Sequence, residues 1–352
     1  MRRKIFVPQV SLGLGLLTAV GASAQANQLT REDLICPCYD QVNRFGVSYR
    51  MGFNISARFK NLGGYTAGSN PGAAIAGIDH NYDDGYNRVD SSTNNNNTTW
   101  NWGYQSASQI SGNSVTMSSS SSSADSTSRE KDEPQNGIEL TYHRELGRFE
   151  KWRWGVEAAL GYTDVSLGNK KPVSGNRNII QDTYLNMGAV FPGAPYNGTY
   201  AGPGPLLSTI PNRTNVVVAG GADITGSRQF DADIYGLRVG PYLELPLHDR
   251  WSVFVSGGFT LLSVNSHFKF HETVAMTGLP SQTSRGNGSH SDILPGGYIG
   301  GNFSFEVRDN VNLFAGAQFQ ASGTYTHKEN RKEVELDLGQ SVFVNIGVGF
   351  SF

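Results

Sequence analysis

The sequence ends on VFVNIGVGFSF, residues 342–352, in which every second residue is a large apolar one. Successive side chains of a β-strand point to opposite faces, so this pattern predicts one strand with an apolar face and a face of small or polar residues. The apolar positions are Val342, Val344, Ile346, Val348, Phe350 and Phe352. What surrounds that apolar face has to be decided from the other strands.

The same two-residue period recurs in seven earlier segments. Each segment is near the ten or so residues that a tilted strand needs to cross a bilayer. With the C-terminal strand the total is about eight, which predicts an all-β protein, an antiparallel up-and-down transmembrane β-barrel. The earlier segments are residues 45–60, 138–145, 152–163, 235–245, 251–263, 297–307 and 311–322.

The connections between these strands alternate in length. Short ones join strands two and three, four and five, and six and seven, whereas long ones follow strands one, three and five. The long ones span about residues 61–135, 168–230 and 268–292. An even strand count with short turns on one side and long extracellular loops on the other is typical of outer-membrane barrels.

Alternation alone does not distinguish a membrane barrel from a soluble one, which turns its apolar face inward. Here the apolar face carries almost no charge, and a Lys or Arg facing lipid at mid-depth would cost about 2–4 kcal/mol. Trp152, Trp154 and Trp251 also collect beside the short turns, where an aromatic girdle is expected. We therefore predict that lipid contacts the apolar face and that the charged face encloses the interior.

An eight-stranded barrel is only wide enough for its own side chains. The inward face mixes glycines with long side chains of nearly balanced charge, which predicts a salt-bridged plug. A narrow channel for small solutes, lined by the same charges, is the alternative. The predicted interior charge network consists of Arg50, Arg58, Glu139, Glu145, Arg153, Glu157, Arg238, Glu244 and Glu306.

The N-terminus, residues 1–26, has three basic residues, a short apolar core and small residues at its end. This pattern predicts a secretory signal peptide. Residues 27–44 are then a periplasmic segment and residues 45–352 the barrel. Cys36 and Cys38 are too close for an unstrained disulfide, so a local structural feature is favoured over a redox or metal-binding pair.

The C-terminal positions Val344, Ile346, Val348, Phe350 and Phe352 resemble the assembly signal of bacterial outer-membrane β-barrels, with apolar residues at alternate positions and a terminal Phe. Together with the signal peptide and the loop layout, residues 45–352 resemble the small opacity/OmpA-type eight-stranded barrels. The resemblance implies a monomer in the bilayer and lipopolysaccharide of a Gram-negative outer membrane. It also implies insertion by the barrel assembly machinery and no enzymatic activity.

The long first loop departs from that family. Its Asn and Ser tracts are expected to be mobile. The aromatic residues among them are expected to pack into an extension of the barrel hairpins, and recognition of sugars or partners is the alternative. These residues are Tyr82, Tyr86, Trp100, Trp102 and Tyr104.

Asp79, Asn81, Asp83 and Asp90 have nearly the spacing of a calcium loop. Asp84 stands where such a loop needs Gly, so these four residues are weak calcium candidates and a solvated acidic turn is favoured. No cofactor is expected.

Catalysis and nucleic-acid binding have little support. His267, His271, His290 and His327 lie near the ends of long loops, but no GxSxG or HExxH motif accompanies them. A hydrolase is therefore the last of the candidate functions. The 28 Lys and Arg nearly balance the 30 Asp and Glu, which gives no reason to expect nucleic acid. The sequence favours a non-enzymatic surface protein that acts through its loops in adhesion or in envelope structure, with an unidentified ligand.

Overall fold

The computed structural model describes residues 42–92, 95–132, 134–188, 190–248 and 250–352. The predicted signal peptide, most of the predicted periplasmic segment and both cysteines lie outside the described residues. No helix in the described ranges is long and apolar enough to cross a membrane.

The described residues form antiparallel β-strands and two short 3₁₀ segments, Asn95–Asn97 and Ala107–Gln109. In chain order the strands are β1 (Asn43–Phe53), β2 (Ser56–Leu62), β3 (His80–Asn81), β4 (Gly85–Asn87), β5 (Thr98–Thr99), β6 (Trp102–Tyr104), β7 (Ile110–Ser111), β8 (Ser114–Ser122), β9 (Ser126–Glu130), β10 (Gln135–Phe149), β11 (Trp152–Asn169), β12 (Val173–Leu185), β13 (Tyr196–Asn197), β14 (Leu207–Ser208), β15 (Asn212–His248), β16 (Trp251–Ala275), β17 (Gln282–Arg308), β18 (Val311–Ala321), β19 (Thr324–Glu329), β20 (Lys332–Asp337) and β21 (Ser341–Ser351).

Eight of these strands close into a ring in the order β1, β10, β11, β15, β16, β17, β18 and β21. The ring closes because the C-terminal strand β21 pairs with β1 as well as with β18, with Val348 opposite Val47. Closure leaves no strand edge of the ring unpaired. All eight predicted segments contribute to this ring, which confirms the fold class. The whole protein is larger than a small eight-stranded barrel, because the other strands build an additional layer of structure.

The outer face of the ring is an exposed apolar belt. Side chains of the opposite parity point into the ring, as the strand alternation requires. A continuous exposed apolar surface of this kind is typical of the outer face of a transmembrane barrel. The belt includes Phe45, Val47, Tyr49, Ile138, Leu140, Trp154, Val156, Leu160, Leu237, Val239, Leu243, Val255, Phe259, Ile299, Phe303, Leu313, Phe319, Ile346 and Phe350.

Beyond the ring, on the side of the long connections, the wall continues as two facing sheets, which we call the extension. Strands β11, β15, β16 and β17 continue without a break, while β19, β20, β2 and β9 form a separate four-stranded sheet. The two sheets enclose an apolar core, as in a β-sandwich. Its members include Phe59, Phe230, Phe268, Phe270, Tyr325, Ile224, Leu167 and Leu336.

The polarity of the strand faces inverts between the ring and the extension. On β15 within the ring, Leu237 and Val239 are exposed and Arg238 is buried. In the extension the same strand buries Ala232 and exposes Asp233. Water surrounds the extension and hydrocarbon surrounds the ring, so apolar side chains point inward in one and outward in the other.

The sequence pattern does not reveal this inversion in the first predicted strand. The prediction of one uninterrupted strand over residues 45–60 is wrong, because Asn54 adopts a left-handed conformation with φ of 60° and separates β1 from β2. Asn tolerates this region better than most residues. Ile55, Ala57 and Phe59 consequently lie in the core of the extension instead of facing lipid.

Much of the three predicted loops is also strand. The serine tract, expected to be mobile, belongs to β8, which pairs with β12 through Ser122 opposite Arg177. The connection predicted over residues 268–292 is mostly the continuation of β16 and β17, which pair from Trp251 to Val274.

The apolar belt predicts that lysine substitutions at two positions of β15 change the free energy of unfolding by very different amounts. Val239→Lys places a cation against hydrocarbon and is expected to lower the free energy of unfolding by about 2–4 kcal/mol. Ser227→Lys, at an exposed position of the same strand in the extension, is expected to change it by less than about 0.5 kcal/mol. Denaturant unfolding of the protein in lipid vesicles measures both, and equal losses would contradict the assignment of the belt.

Candidate functional site

The centre of the ring holds a buried carboxylate between two arginines. Glu139 accepts from Nη1 of Arg50 at 3.1 Å and from Nη2 of Arg238 at 2.7 Å. The three side chains are at most 6% exposed. Two charge-assisted hydrogen bonds to one carboxylate offset part of the cost of taking these charges out of water.

A second carboxylate continues this network. Glu157 accepts from Nη1 of Arg238 at 3.0 Å, from Nε2 of His143 at 2.9 Å and from the Tyr298 hydroxyl at 3.1 Å. The side chains from Arg50 to His143 therefore form one connected path across the interior. They come from β1, β10, β15 and β11, with Tyr298 from β17, so the network ties five of the eight ring strands together.

Aromatic rings and glycines complete the surroundings of the two arginines. The guanidinium of Arg50 lies 3.5 Å from the centroid of the Phe343 ring, and that of Arg238 lies 4.7 Å from that of Tyr298. A Cβ on Gly161 would lie only 2.8 Å from Nη1 of Arg50. The long side chain thus occupies space that a glycine leaves open.

The remaining members of the predicted network lie toward the short-turn end. Glu244 is 3.5 Å from Nη2 of Arg44, and Glu145 pairs with Arg148. Arg153 and Glu306 are half-buried and line a cavity of about 120 Å³ at this end of the ring. Glu244 itself is buried, and its partner Arg44 also lines the small cavity beside His143 and Glu157.

One residue of the predicted interior charge network does not lie in the ring. Arg58 was assigned to the interior because it shares the parity of Arg50, but it lies on β2 beyond the inversion at Asn54 and is exposed on the outer surface of the extension. Two members were missed, Arg44 and His143. Arg44 precedes the first predicted strand by one residue, and His143 was not counted among the charges although it lies on the inward face of β10.

The interior of the ring is almost filled. A cavity of about 20 Å³ lies beside His143, Glu157 and Arg238, and one of about 10 Å³ lies beside Arg50. A single water needs about 10–15 Å³ of such space. Each cavity therefore has room for about one water.

Three aromatic residues of the first loop, Tyr82, Trp102 and Tyr104, lie in a second apolar cluster at the far end of the extension. The indole of Trp102 donates to the Pro205 carbonyl at 2.8 Å and the hydroxyl of Tyr86 donates to the Gly198 carbonyl at 2.7 Å, so two long connections pack together here. The expectation that these aromatics pack into an extension is confirmed. The buried members of the cluster are Tyr82, Trp102, Tyr104, Val115, Met117, Tyr184 and Leu207.

The weak calcium candidates do not converge. Asp79 accepts from the Val89 amide at 2.9 Å, and Asp83 accepts from the Ser120 amide at 2.7 Å. Asp90 accepts from the Ser92 amide at 2.9 Å. Asn81 accepts from Arg88. Each side chain thus accepts from a different donor of the protein, and no group of three or more metal-ligating residues occurs in the described part of the chain.

The histidines near the loop ends separate into exposed and enclosed ones. His267 and His271 are exposed, whereas His327 is buried between the sheets of the extension, with Nδ1 2.8 Å from the Ser266 hydroxyl. A Ser–His pair is part of the machinery of nucleophilic catalysis. Here Ser266 is 4% exposed and His327 2% exposed, so a substrate has no access to them. Burial lowers the pKa of His327, and the neighbouring His290 lowers it further.

The residues of the predicted assembly signal lie on β21 and at its end. Val344, Ile346, Phe350 and Phe352 are exposed on the outer face of the ring, and Val348 is half-buried beside Val47. This placement gives the last strand the same outward apolar face as its neighbours.

No protein-family model and no curated protein matches the chain. Among solved structures, Ail, the attachment invasion locus protein of Yersinia pestis, is 10% identical with a TM-score of 0.27 over 88% of this chain and 97% of that one. The outer membrane protease OmpT of Escherichia coli is 7% identical with a TM-score of 0.33 over 88% and 96%. The toluene transporter TodX of P. putida is 6% identical with a TM-score of 0.21 over 88% and 90%.

These similar structures are outer-membrane β-barrels. At such identities the similarity concerns the fold alone, and the names of these proteins refer to attachment, proteolysis and transport. The similarity therefore does not select a function for this chain.

The central network predicts a large effect for Glu139→Ala. The change leaves two buried guanidinium groups without their shared carboxylate, and we expect a loss of about 3–5 kcal/mol in the free energy of unfolding. Arg58→Ala, at the exposed position once assigned to the same network, is expected to cost less than about 0.5 kcal/mol. A loss for Arg58→Ala as large as that for Glu139→Ala, in vesicle unfolding experiments, would refute this arrangement.

The buried histidine predicts acid sensitivity of the extension. Because the pKa of His327 in the folded protein is below its ordinary value of 6.5, the unfolded chain binds more protons as the pH falls through that value. Stability is therefore complete above about pH 6.5 and decreases below it. Hydrogen exchange of β19 and β20, corrected for intrinsic rates, should be faster at pH 5.5 than at pH 7.5. His327→Gln should remove most of this acceleration and the exposed control His271→Gln should keep it; an unchanged acceleration in His327→Gln would exclude His327 as its source.

Proposed function

We propose that this protein is a non-enzymatic outer-membrane β-barrel with a closed interior, which presents its folded extension outside the cell for adhesion or for an envelope-structural role. The observation that carries the proposal is the path of paired charges from Arg50 to His143 across the ring. It occupies the space that a solute pathway would need.

The size of the interior cavities supports a closed barrel over a narrow channel. About 20 Å³ and about 10 Å³ beside the network hold single waters, not a continuous file. The larger cavity of about 120 Å³ lies at the short-turn end, where Arg44, Glu244 and Glu306 line it. Opening a path would require breaking charge pairs that are buried, which is costly.

The extension supports a role at the cell surface. Two separate apolar clusters hold its strands in place, one between the two sheets and one at the far end. Neither cluster is needed to close the ring, whose eight strands pair with one another. An ordered structure of this size beyond the membrane provides surface for contacts with molecules outside the cell.

The partners implied by the resemblance belong to this proposal. They are the bilayer and lipopolysaccharide of the outer membrane and the barrel assembly machinery, which would recognise the outward apolar face of β21. The absence of enzymatic activity is supported by the enclosure of the Ser266–His327 pair, because a nucleophile has to reach its substrate.

Single-channel recording in planar bilayers tests the closed interior. The purified protein is expected to give no steady, reproducible conductance. Glu139→Ala, with folding checked by heat-modifiable migration on gels, is the comparison variant, because it removes the carboxylate at the centre of the network. Steady conductance of the unmodified protein would overturn the proposal and favour the channel.

A further inference from the structure

The outer surface of the extension has a groove across strands β11, β15 and β16. Its volume is about 430 Å³. Its floor is backbone, because Gly168 has no side chain and a Cβ there would meet only the Arg228 carbonyl oxygen, at 3.9 Å. The exposed residues around Gly168 are all polar, so the groove suits a polar ligand. They are Ser166, Lys170, Ser227, Gln229, Lys269 and His271.

Three of these side chains are basic and surround the smaller residues of β15. Lys269 and His271 of β16 lie opposite the two groove residues of β15, and Lys170 follows the last paired residue of β11 on the other side. Neighbouring strands are about 4.8 Å apart, so all three side chains can reach one bound group. Each lacks an acidic partner within ion-pair distance in the described ranges. Asp231, the next outward residue of β15, already accepts from the Ser166 hydroxyl at 2.7 Å.

Lysines on the outer face of the other sheet, in contrast, are paired. Lys60 contacts Glu335, and Lys328 lies 3.2 Å from Glu333. Beside the groove, Arg285 of β17 adds a further exposed cation instead of a carboxylate. The groove is therefore a concentration of positive charge that the described part of the chain does not neutralise.

A buried cation lies behind the floor of the groove. Arg228 is 1% exposed, and none of its three guanidinium nitrogens has a hydrogen-bond partner in the described part of the chain. Glu272, on the same inner face of the sheet, lies 3.0 Å from Nζ of Lys332. These three buried groups together therefore carry a net positive charge. Because the interior has a low dielectric constant, that charge raises the positive potential at the groove.

The distance of the groove from the membrane limits the ligand. Gln229 precedes Leu237 of the apolar belt by eight residues. A rise of about 3.3 Å per residue and a strand tilt of about 35–45° place the groove about 20 Å from the belt. The headgroup region is only about 5–8 Å thick on each side of the hydrocarbon core. A phospholipid headgroup therefore does not reach the groove, whereas a longer saccharide does.

We propose that this groove binds a phosphate group carried on a saccharide. The inference rests on the proposed surface role and names a ligand class for it. A phosphate monoester carries about 1.5–2 negative charges at neutral pH, which matches a group of basic side chains. Lys170, Lys269 and His271 donate to the phosphate oxygens, and such charge-assisted hydrogen bonds are the strong ones. Ser227 and Gln229 are left for the hydroxyl groups of the sugar.

The size of the groove supports a sugar phosphate over a free phosphate ion. Sites for small molecules have volumes of about 300–1,000 Å³, and the groove lies within this range. Two sources supply the same chemistry. One is a saccharide linked to a lipid of the same membrane, which would rise beside the wall of the protein, and the other is a soluble saccharide.

The experiment uses the full-length mature protein in phosphatidylcholine nanodiscs. The probe is the deacylated, phosphorylated core oligosaccharide of a lipopolysaccharide, fluorescently labelled and followed by anisotropy. The double variant Lys170→Glu, Lys269→Glu should bind the probe about tenfold more weakly or worse, and removal of the phosphates from the probe should have a similar effect. The double variant Lys131→Glu, Lys328→Glu is the matched control. It changes the net charge equally outside the groove and should bind within about twofold of the unmodified protein.

A competition experiment identifies the source of the saccharide. Intact phosphorylated lipopolysaccharide in the same nanodisc displaces the probe if the lipid-linked saccharide reaches the groove, and leaves it bound if only a soluble saccharide does. All variants are checked for folding by heat-modifiable migration.

Three results would each overturn the inference: no binding of the probe by the unmodified protein, undiminished binding after the phosphates are removed, or equal losses in the two double variants. None of them bears on the closed interior, which bilayer recording tests separately, so failure of this inference is distinguishable from failure of the proposed function.

Discussion

A single strand of this protein faces hydrocarbon along one part of its length and water along another. In β15 the outward side chains change from Asp233 to Leu237 as the strand passes from the extension into the ring. Hydrocarbon accepts Leu237 and water accepts Asp233, so each part of the strand turns its other face inward. This division between hydrocarbon and water determines where the charges, the apolar core and the closed ring lie.

Charged side chains that cannot face hydrocarbon point into the interior of the ring. An eight-stranded ring has little interior space, so arginines and glutamates survive there only as partners of one another. Glu139 between Arg50 and Arg238 is the central case, and Gly161 gives Arg50 its room. Since the partners come from different strands, the same contacts that neutralise the interior also hold the strands of the ring in register.

Alternation in the sequence predicts the ring well. Every ring strand carries large apolar side chains at alternate positions, and the parity rule places Glu139, Glu157 and Arg238 inside, where the structure has them. The rule fails where the backbone departs from a regular strand. Nothing in the apolar pattern marks Asn54 as the point of inversion, so Arg58 was assigned to the wrong side. The serine tract of β8 has no apolar period that would predict a strand. It is extended because it pairs with β12, which lies far from it in the sequence.

The most direct measurement is the accessibility of two spin labels on β15, in a background in which Cys36 and Cys38 are replaced by Ser and the protein is reconstituted in lipid. A nitroxide at Leu237→Cys should be relaxed strongly by oxygen, which concentrates in hydrocarbon, and weakly by a water-soluble nickel complex. A nitroxide at Ser227→Cys should show the reverse. If the label at position 237 is as accessible to the nickel complex as the label at position 227, hydrocarbon does not cover the outer face of the ring and the account is wrong.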